Sequence, residues 1–372
     1  MEPIIEELQR LIEQHQWQDA FQRAIDCAQQ SQMAGIQRYQ DLDSLLEILN
    51  GLATWAPSVD GDPRHAFDTP IQFYYILDQE PLKSLQSLTR PAARAEPLTP
   101  LSAWMVKFAQ VYGSYLDTPA SAARIDTFKA MVDWDEYMPP PSGYRTFNQF
   151  FARHVKPGTR PIAAIGDSGV IVSPADSTFV GRWEISSNSE ISVEPQLDLK
   201  GFRWSIHQLL EGSAFADRFR DGLFMHSYLG ISDYHRWHCP VQGQVLEARV
   251  IQGQVSMDVH TKTEVVDGKS EVIADIVDTT GFQFVQTRGL IVLDSPIGLV
   301  ACLPVGMALV SSVVITAEVG STLHKGEELG YFQFGGSDFV MVFERSSNVQ
   351  LICQPNVHYK QGSWIGNAYP GA

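Results

Sequence analysis

Along the first fifty residues, apolar positions recur every three or four residues. Ile4, Ile5, Leu8, Leu11 and Ile12 form one such stripe, and Trp17, Phe21, Ala24, Ile25 and Ala28 form a second. Leu45, Leu46, Ile48 and Leu49 follow Asp41 and Asp43, both suitable N-cap residues. This spacing predicts three amphipathic helices, each burying one face. After the loop APSVDGDPRHAFDTP the same period returns, and Leu101, Met105, Phe108, Tyr112 and Leu116 share one face of a long helix. The prolines of MPPPSG cannot continue a helix and mark a boundary near residue 140.

Beyond that boundary Thr146 and Gln149 form a T-x-x-Q capping box. Phe147, Phe150, Phe151 and His154 then fall at i, i+3, i+4 and i+7, which predicts a short helix with its aromatic face inward. From about Ile162 the character changes to short β-branched runs broken by glycine, such as GVIVSPADSTFVG, VQGQVLEARVIQGQV and GLIVLDSPIGLVACL. The chain therefore reads as α+β, with a helical region over residues 1–140 followed by a β-rich domain over 141–372. The pieces PVQGQVLEARVIQG and VVITAEVGSTLHKGEELGYF place Gly and Val alike, as an internal duplication would, and the second resembles the β-sandwich of lipoyl and biotinyl domains.

Charge and cysteine usage narrow the setting. The net charge is −16 and no stretch collects Lys and Arg, which argues against a nucleic-acid partner and against an anionic bilayer surface. Glu2, Glu6 and Glu7 stand where a secretion signal needs positive charge. Cys27, Cys239, Cys302 and Cys353 are dispersed with no C-x-x-C pair, so neither a disulfide framework nor a zinc site is expected, and the setting reads as cytoplasmic. The uncharged run SPIGLVACLPVGMALVSSVVITA has the length of a membrane span, but Pro296, Gly298, Pro304 and Gly306 interrupt it. Its Val and Ile residues suit buried strands, so no transmembrane segment is expected.

Three segments carry chemistry: SPADST with Asp176, DYHRWHCPV with His235 and His238, and YFQFGGSDF with Ser337. Singly, each has a plainer reading, as a turn aspartate, as packed histidines, or as a Gly-Gly turn. Together they supply an acid, an imidazole and a hydroxyl, the parts of an activated nucleophile. No G-x-S-x-G elbow surrounds Ser337, which leaves a serine hydrolase without its signature. A serine after two glycines is instead placed to attack its own upstream carbonyl, because glycine permits the required backbone bend.

The sequence FNQFFARHVKPGTRPI, then SPADST, then DYHRWHCPV, then KGEELGYFQFGGS resembles, in this order, the motifs of the phosphatidylserine decarboxylase family. A decoy, Val319–Thr322, reads VGST like the family's cleavage motif but precedes the KGEELG segment, so Ser337 is the better match. The resemblance implies self-cleavage between Gly336 and Ser337, leaving a pyruvoyl prosthetic group made from Ser337 at the head of the smaller piece. It implies that Asp176 holds His238, that His238 takes the Ser337 proton, and that His235 serves the decarboxylation step. No metal is implied.

The segments PIQFYYILDQEP and FAQVYGSYLDTPASA are similar to the extra helical region of soluble fungal relatives that decarboxylate tryptophan, although the retained Asp176 departs from some of them. The implied substrate is therefore a free aromatic amino acid, with phosphatidylserine as the alternative. Phe332, Phe334 and Phe339 are candidate walls for its pocket. Oligomeric state stays open.

Overall fold

The apolar stripes of the first fifty residues form helices Pro3–His15, Gln18–Gln29 and Leu42–Leu52. Asp41 caps the third, its carboxylate accepting from the Ser44 amide. Helices Asp68–Leu77 and Pro100–Tyr115 follow, the second capped by Thr99, and Leu101, Met105, Phe108, Tyr112 and Leu116 are all buried. The computed structural model describes residues 1–60, 66–89, 96–191, 203–266, 268–276, 281–308, 312–334 and 337–371. Gly336, on the expected scissile bond, lies outside these residues.

The Thr146 hydroxyl accepts from the Gln149 amide as expected, while the Gln149 side chain accepts from the Arg145 amide rather than that of Thr146. The helix is shorter than its aromatic spacing predicts. It runs only from Phe147 to Phe151, because the backbone at His154–Val155 pairs with Tyr137–Met138 as a two-stranded sheet. His154 is consequently exposed rather than part of the inward face.

The second half is built on an eight-stranded antiparallel sheet. Its spatial order is Thr322–Leu323, Gly243–Ile251, Arg288–Ser295, Gly298–Gly306, Ser337–Phe343, Leu223–Leu229, Ser177–Glu184 and His358–Tyr359. Strand Ser337–Phe343 is interior and buried along its whole length. Side chains alternate across it: Phe339, Met341 and Phe343 join the hydrophobic cluster that includes the N-terminal helices, while Val340 and Val342 join a second cluster behind the sheet. Ser337 thus points to the helical side.

Two smaller sheets bring the motifs together. Arg236–His238 pairs with Glu328–Phe332, which pairs in turn with Val313–Ile315. Gly330 permits this contact, since a Cβ there would lie 2.3 Å from the Trp237 ring and 2.2 Å from the Val314 carbonyl. Val170–Val172 pairs with Trp364–Ala368 and delivers the SPAD turn. The uncharged run becomes strands Gly298–Gly306 and Val313–Ile315, and no helix among the described residues is long and apolar enough to cross a membrane. The two segments with similar Gly and Val spacing do not take equivalent places. One is a strand of the large sheet, and the other is divided between the small sheet and an edge pairing at Thr322–Leu323.

Candidate active site

Ser337 is 1% exposed at the head of its strand, in register with Gly306 on one side and Leu229 on the other. Its Oγ has no hydrogen-bond partner among the described residues. An unpartnered buried hydroxyl costs stability and leaves the oxygen's lone pairs unengaged.

The segment that follows Leu229, the strand partner of Ser337, is tied to Phe332. From Leu229 the chain turns through Gly230–Asp233 into Tyr234 and His235, and the His235 carbonyl accepts from the Phe332 amide at 2.9 Å. Phe332 stands five residues ahead of Ser337 in the sequence. His235 is fully buried, its ring 3.9 Å from that of Phe151. Its Nδ1 is 3.0 Å from the Asp233 carbonyl, an acceptor, so Nδ1 carries the proton and Nε2 is the lone-pair nitrogen, with no partner. Burial and the nearby Arg153 charge both hold its pKa well below the ordinary value.

His238 is set differently. Its amide donates to the Pro174 carbonyl at 2.8 Å, which joins the YHRWH strand to the SPAD turn. Its Nδ1 donates to the Gly326 carbonyl at 2.9 Å, leaving Nε2 to accept from the Tyr234 hydroxyl at 3.0 Å. Burial lowers its pKa, opposed by the Gly326 carbonyl and by the Glu328 and Asp176 carboxylates.

Asp176 lies in the turn beside His238 but no hydrogen bond joins the two. Its carboxylate is held by Arg160, through Nε at 2.9 and 3.1 Å and Nη2 at 2.6 Å, and by the Gln361 amide at 2.8 Å. Arg160 also pairs with Glu136 at 2.9 Å and lies 5.9 Å from the centre of the Tyr234 ring. The structure therefore connects Asp176 to His238 through Arg160 and Tyr234. Both of those residues sit inside the quoted motifs, but nothing in their spacing disclosed the connection.

The residues ahead of Ser337 are packed by the helical region. Phe334 is ringed by Phe67, Tyr112, Phe147 and Phe151, with ring centres 5.2 to 5.9 Å away. Its amide donates to the Asn148 side chain, which also donates to Asp117 at 3.0 Å. Phe332 and Phe339 pack on Trp237. These three phenylalanines are core residues, and none lines the two clefts beside the segment. Those clefts, of about 270 and 380 Å³, meet at Asp117 and Gln333.

Behind the sheet lies a cluster the sequence did not suggest. His226 Nε2 and Asp338 Oδ2 are 3.0 Å apart with no exposure, and the Gln283 amide donates to Asp338 at 3.0 Å. It fastens the residue after Ser337 to the neighbouring strand.

Ser337 thus heads an inner strand with its hydroxyl unpartnered among the described residues, and the His235 carbonyl is tied to the segment ahead of it through the Phe332 amide. The profile of the phosphatidylserine decarboxylase family matches residues 147–367, more than half of the chain, and the chain belongs to that family. It is 31% identical over 243 residues to phosphatidylserine decarboxylase proenzyme 2 of rice, Oryza sativa subsp. japonica, covering 63% of this chain and 36% of that one. It is 30% identical over 240 residues to the phosphatidylserine decarboxylase proenzyme of Fusobacterium nucleatum, covering 64% of this chain and 73% of that one. It is also 30% identical over 212 residues to decarboxylase iboD of Amanita muscaria, covering 54% and 59%. The matched part is about a third of the rice relative's length and 22% of that of the Schizosaccharomyces pombe proenzyme 3.

Proposed function

We propose that the chain is a proenzyme that cuts itself between Gly336 and Ser337 and then releases carbon dioxide from an amino acid. The observation that carries this reading is the buried, unpartnered Ser337 hydroxyl at the start of an interior strand. A base removes the hydroxyl proton, and the oxygen attacks the Gly336 carbonyl to convert the peptide bond to an ester. Loss of the Ser337 Cα proton breaks the ester, freeing Gly336 as a carboxylate. Water then replaces the nitrogen at residue 337, which leaves as ammonia. A pyruvoyl head at residue 337 fits the surroundings, since both flanking strands hold this position and no side chain among the described residues holds the serine Oγ, which must leave with Gly336. The pyruvoyl group would supply an electron sink for the bond to the departing carboxylate.

His238 is the proposed base, with Asp176 acting on it through Arg160 and Tyr234. His235, neutral and buried, then donates or accepts a proton at the reacting carbon. The unengaged Nε2 of His235, against the Tyr234-bonded Nε2 of His238, favours a second reading with these roles exchanged. Cleavage of His238→Ala and His235→Ala separates the two: the variant that stays intact lacks the base.

The proposed substrate is a free aromatic amino acid, handled in the cytoplasm. The charge of −16 opposes an anionic bilayer, and clefts of about 270 and 380 Å³ are of small-ligand size. The names of the rice and Fusobacterium relatives support phosphatidylserine as the alternative, with phosphatidylethanolamine as product. Carbon dioxide release is measured from free amino acids and, separately, from phosphatidylserine in detergent. Turnover of tryptophan or another aromatic amino acid is expected, and turnover of the lipid alone would reject the leading substrate.

A further inference from the structure

Arg153 is 2% exposed and has no carboxylate within ion-pairing distance among the described residues. A buried cation without an anion is costly, so its position calls for a role. Its guanidinium lies 4.2 Å from the centre of the Tyr137 ring, and its Nη2 donates to the Tyr137 hydroxyl at 3.2 Å. Its hydrogen bonds go chiefly to backbone carbonyls: Ser232 at 2.6 Å and Asp233 at 2.9 Å through Nη2, and Phe151 at 3.4 Å through Nη1. The Asp233 carbonyl is the same oxygen that accepts from His235 Nδ1. Phe151, the other end of the bridge, packs its ring against His235 at an interplanar angle of 34°.

We propose that Arg153 is a positioning residue, which by clamping the Asp233 carbonyl to the end of helix Phe147–Phe151 holds His235 as its Nδ1–H tautomer with Nε2 free to accept a proton. The proposal rests on His235 taking part in the chemistry, in either of the two roles above. The fork geometry matters as well as the charge, because one guanidinium reaches both loop carbonyls and the helix end, which a lysine cannot do. The charge itself acts in the same direction, disfavouring the imidazolium.

No other charge competes for His235. On its own loop the Asp233 carboxylate is turned to the Gly230 amide and His358, and Arg236 is paired with Glu328. Tyr234 is bonded to His238, and the strand Glu328–Phe332 meets His235 through the Phe332 amide. From the helix side come only Phe151 and Arg153.

The test uses the full-length Ser337→Ala chain labelled with ¹⁵N-histidine, in which His235 is assigned by difference from His235→Asn. In the parent chain His235 should show Nδ1–H and a bare Nε2, and stay neutral well below pH 6.5. Arg153→Met should mix the tautomers and raise the midpoint, while Arg153→Lys should keep the low midpoint but lose the single tautomer. A single Nδ1–H tautomer with an unmoved midpoint in Arg153→Met overturns the proposal. An Nε2–H tautomer in the parent chain overturns it too, whether or not the variants fold. In the processed enzyme, Arg153→Met should shift the acid limb of decarboxylation upward by the same amount. If the spectra move and the acid limb does not, Arg153 keeps its positioning role and the reading of His235 in decarboxylation fails.

Discussion

Ser321 and Ser337 each follow a glycine, and each belongs to a segment similar to a decarboxylase cleavage motif, but their surroundings differ in kind. Ser321 closes a surface turn in which its Oγ donates to the Glu318 carbonyl at 2.6 Å, next to Val319 at 62% exposure. Ser337 opens an interior strand, buried on both sides, with no partner for its oxygen. The turn serine has its hydroxyl satisfied and its backbone bonded, its amide donating to the Glu318 carbonyl and its carbonyl accepting from the Val245 amide, so nothing favours attack on a neighbouring carbonyl. The strand serine carries an unmet hydrogen-bonding demand in a low-dielectric setting. The difference teaches that the motif letters matter less than which serine the sheet encloses.

The sharpest way to break this comparison is Ser337→Ala, which should abolish cleavage entirely while leaving the sheet intact, as read by gel mobility and circular dichroism. Cleavage that persists in this variant would move the site elsewhere. A middle-sized effect is expected from Asp176→Ala. Removing one partner of a buried pair leaves Arg160, 3% exposed, with Glu136 alone, which should cost about 3 kcal/mol in urea unfolding and slow cleavage through Tyr234 and His238. Asp176→Asn, which keeps an acceptor for Arg160, should recover most of the stability. The smallest effect belongs to Ser321→Ala, with cleavage unchanged and stability altered by less than about 1 kcal/mol. Blocked cleavage there would reverse the assignment of the two serines.

Helices were the legible part of the sequence, because their apolar spacing is local: Ile4 to Ile12 and Leu101 to Leu116 mark buried faces without reference to any distant residue. The end of the Phe147–Phe151 helix was not legible, since it is set by pairing with Tyr137–Met138 rather than by its own residues. Ser337, His235 and His238 could be named as candidates from their motifs. Their partners could not, because those contacts join segments far apart in the chain. Arg153 reaches the Asp233 carbonyl across 80 positions, and the Phe334 cage draws on Phe67. Tyr234 illustrates the limit most plainly: it lies four residues from His238, and in a straight strand such residues share a face but stand about 13 Å apart. The turn through Asp233 and the bond from His238 to Pro174 bring its hydroxyl to that imidazole.

Mass spectrometry of the purified, denatured wild-type chain tests the central claim most directly. Two pieces are expected, one ending at Gly336 and one running from residue 337 to Ala372, the second lighter than its serine-headed form by the mass of ammonia and blocked to α-amine chemistry such as Edman degradation, Lys360 being the one amine it keeps. An intact chain with unmodified Ser337 that still releases carbon dioxide from its substrate would contradict it.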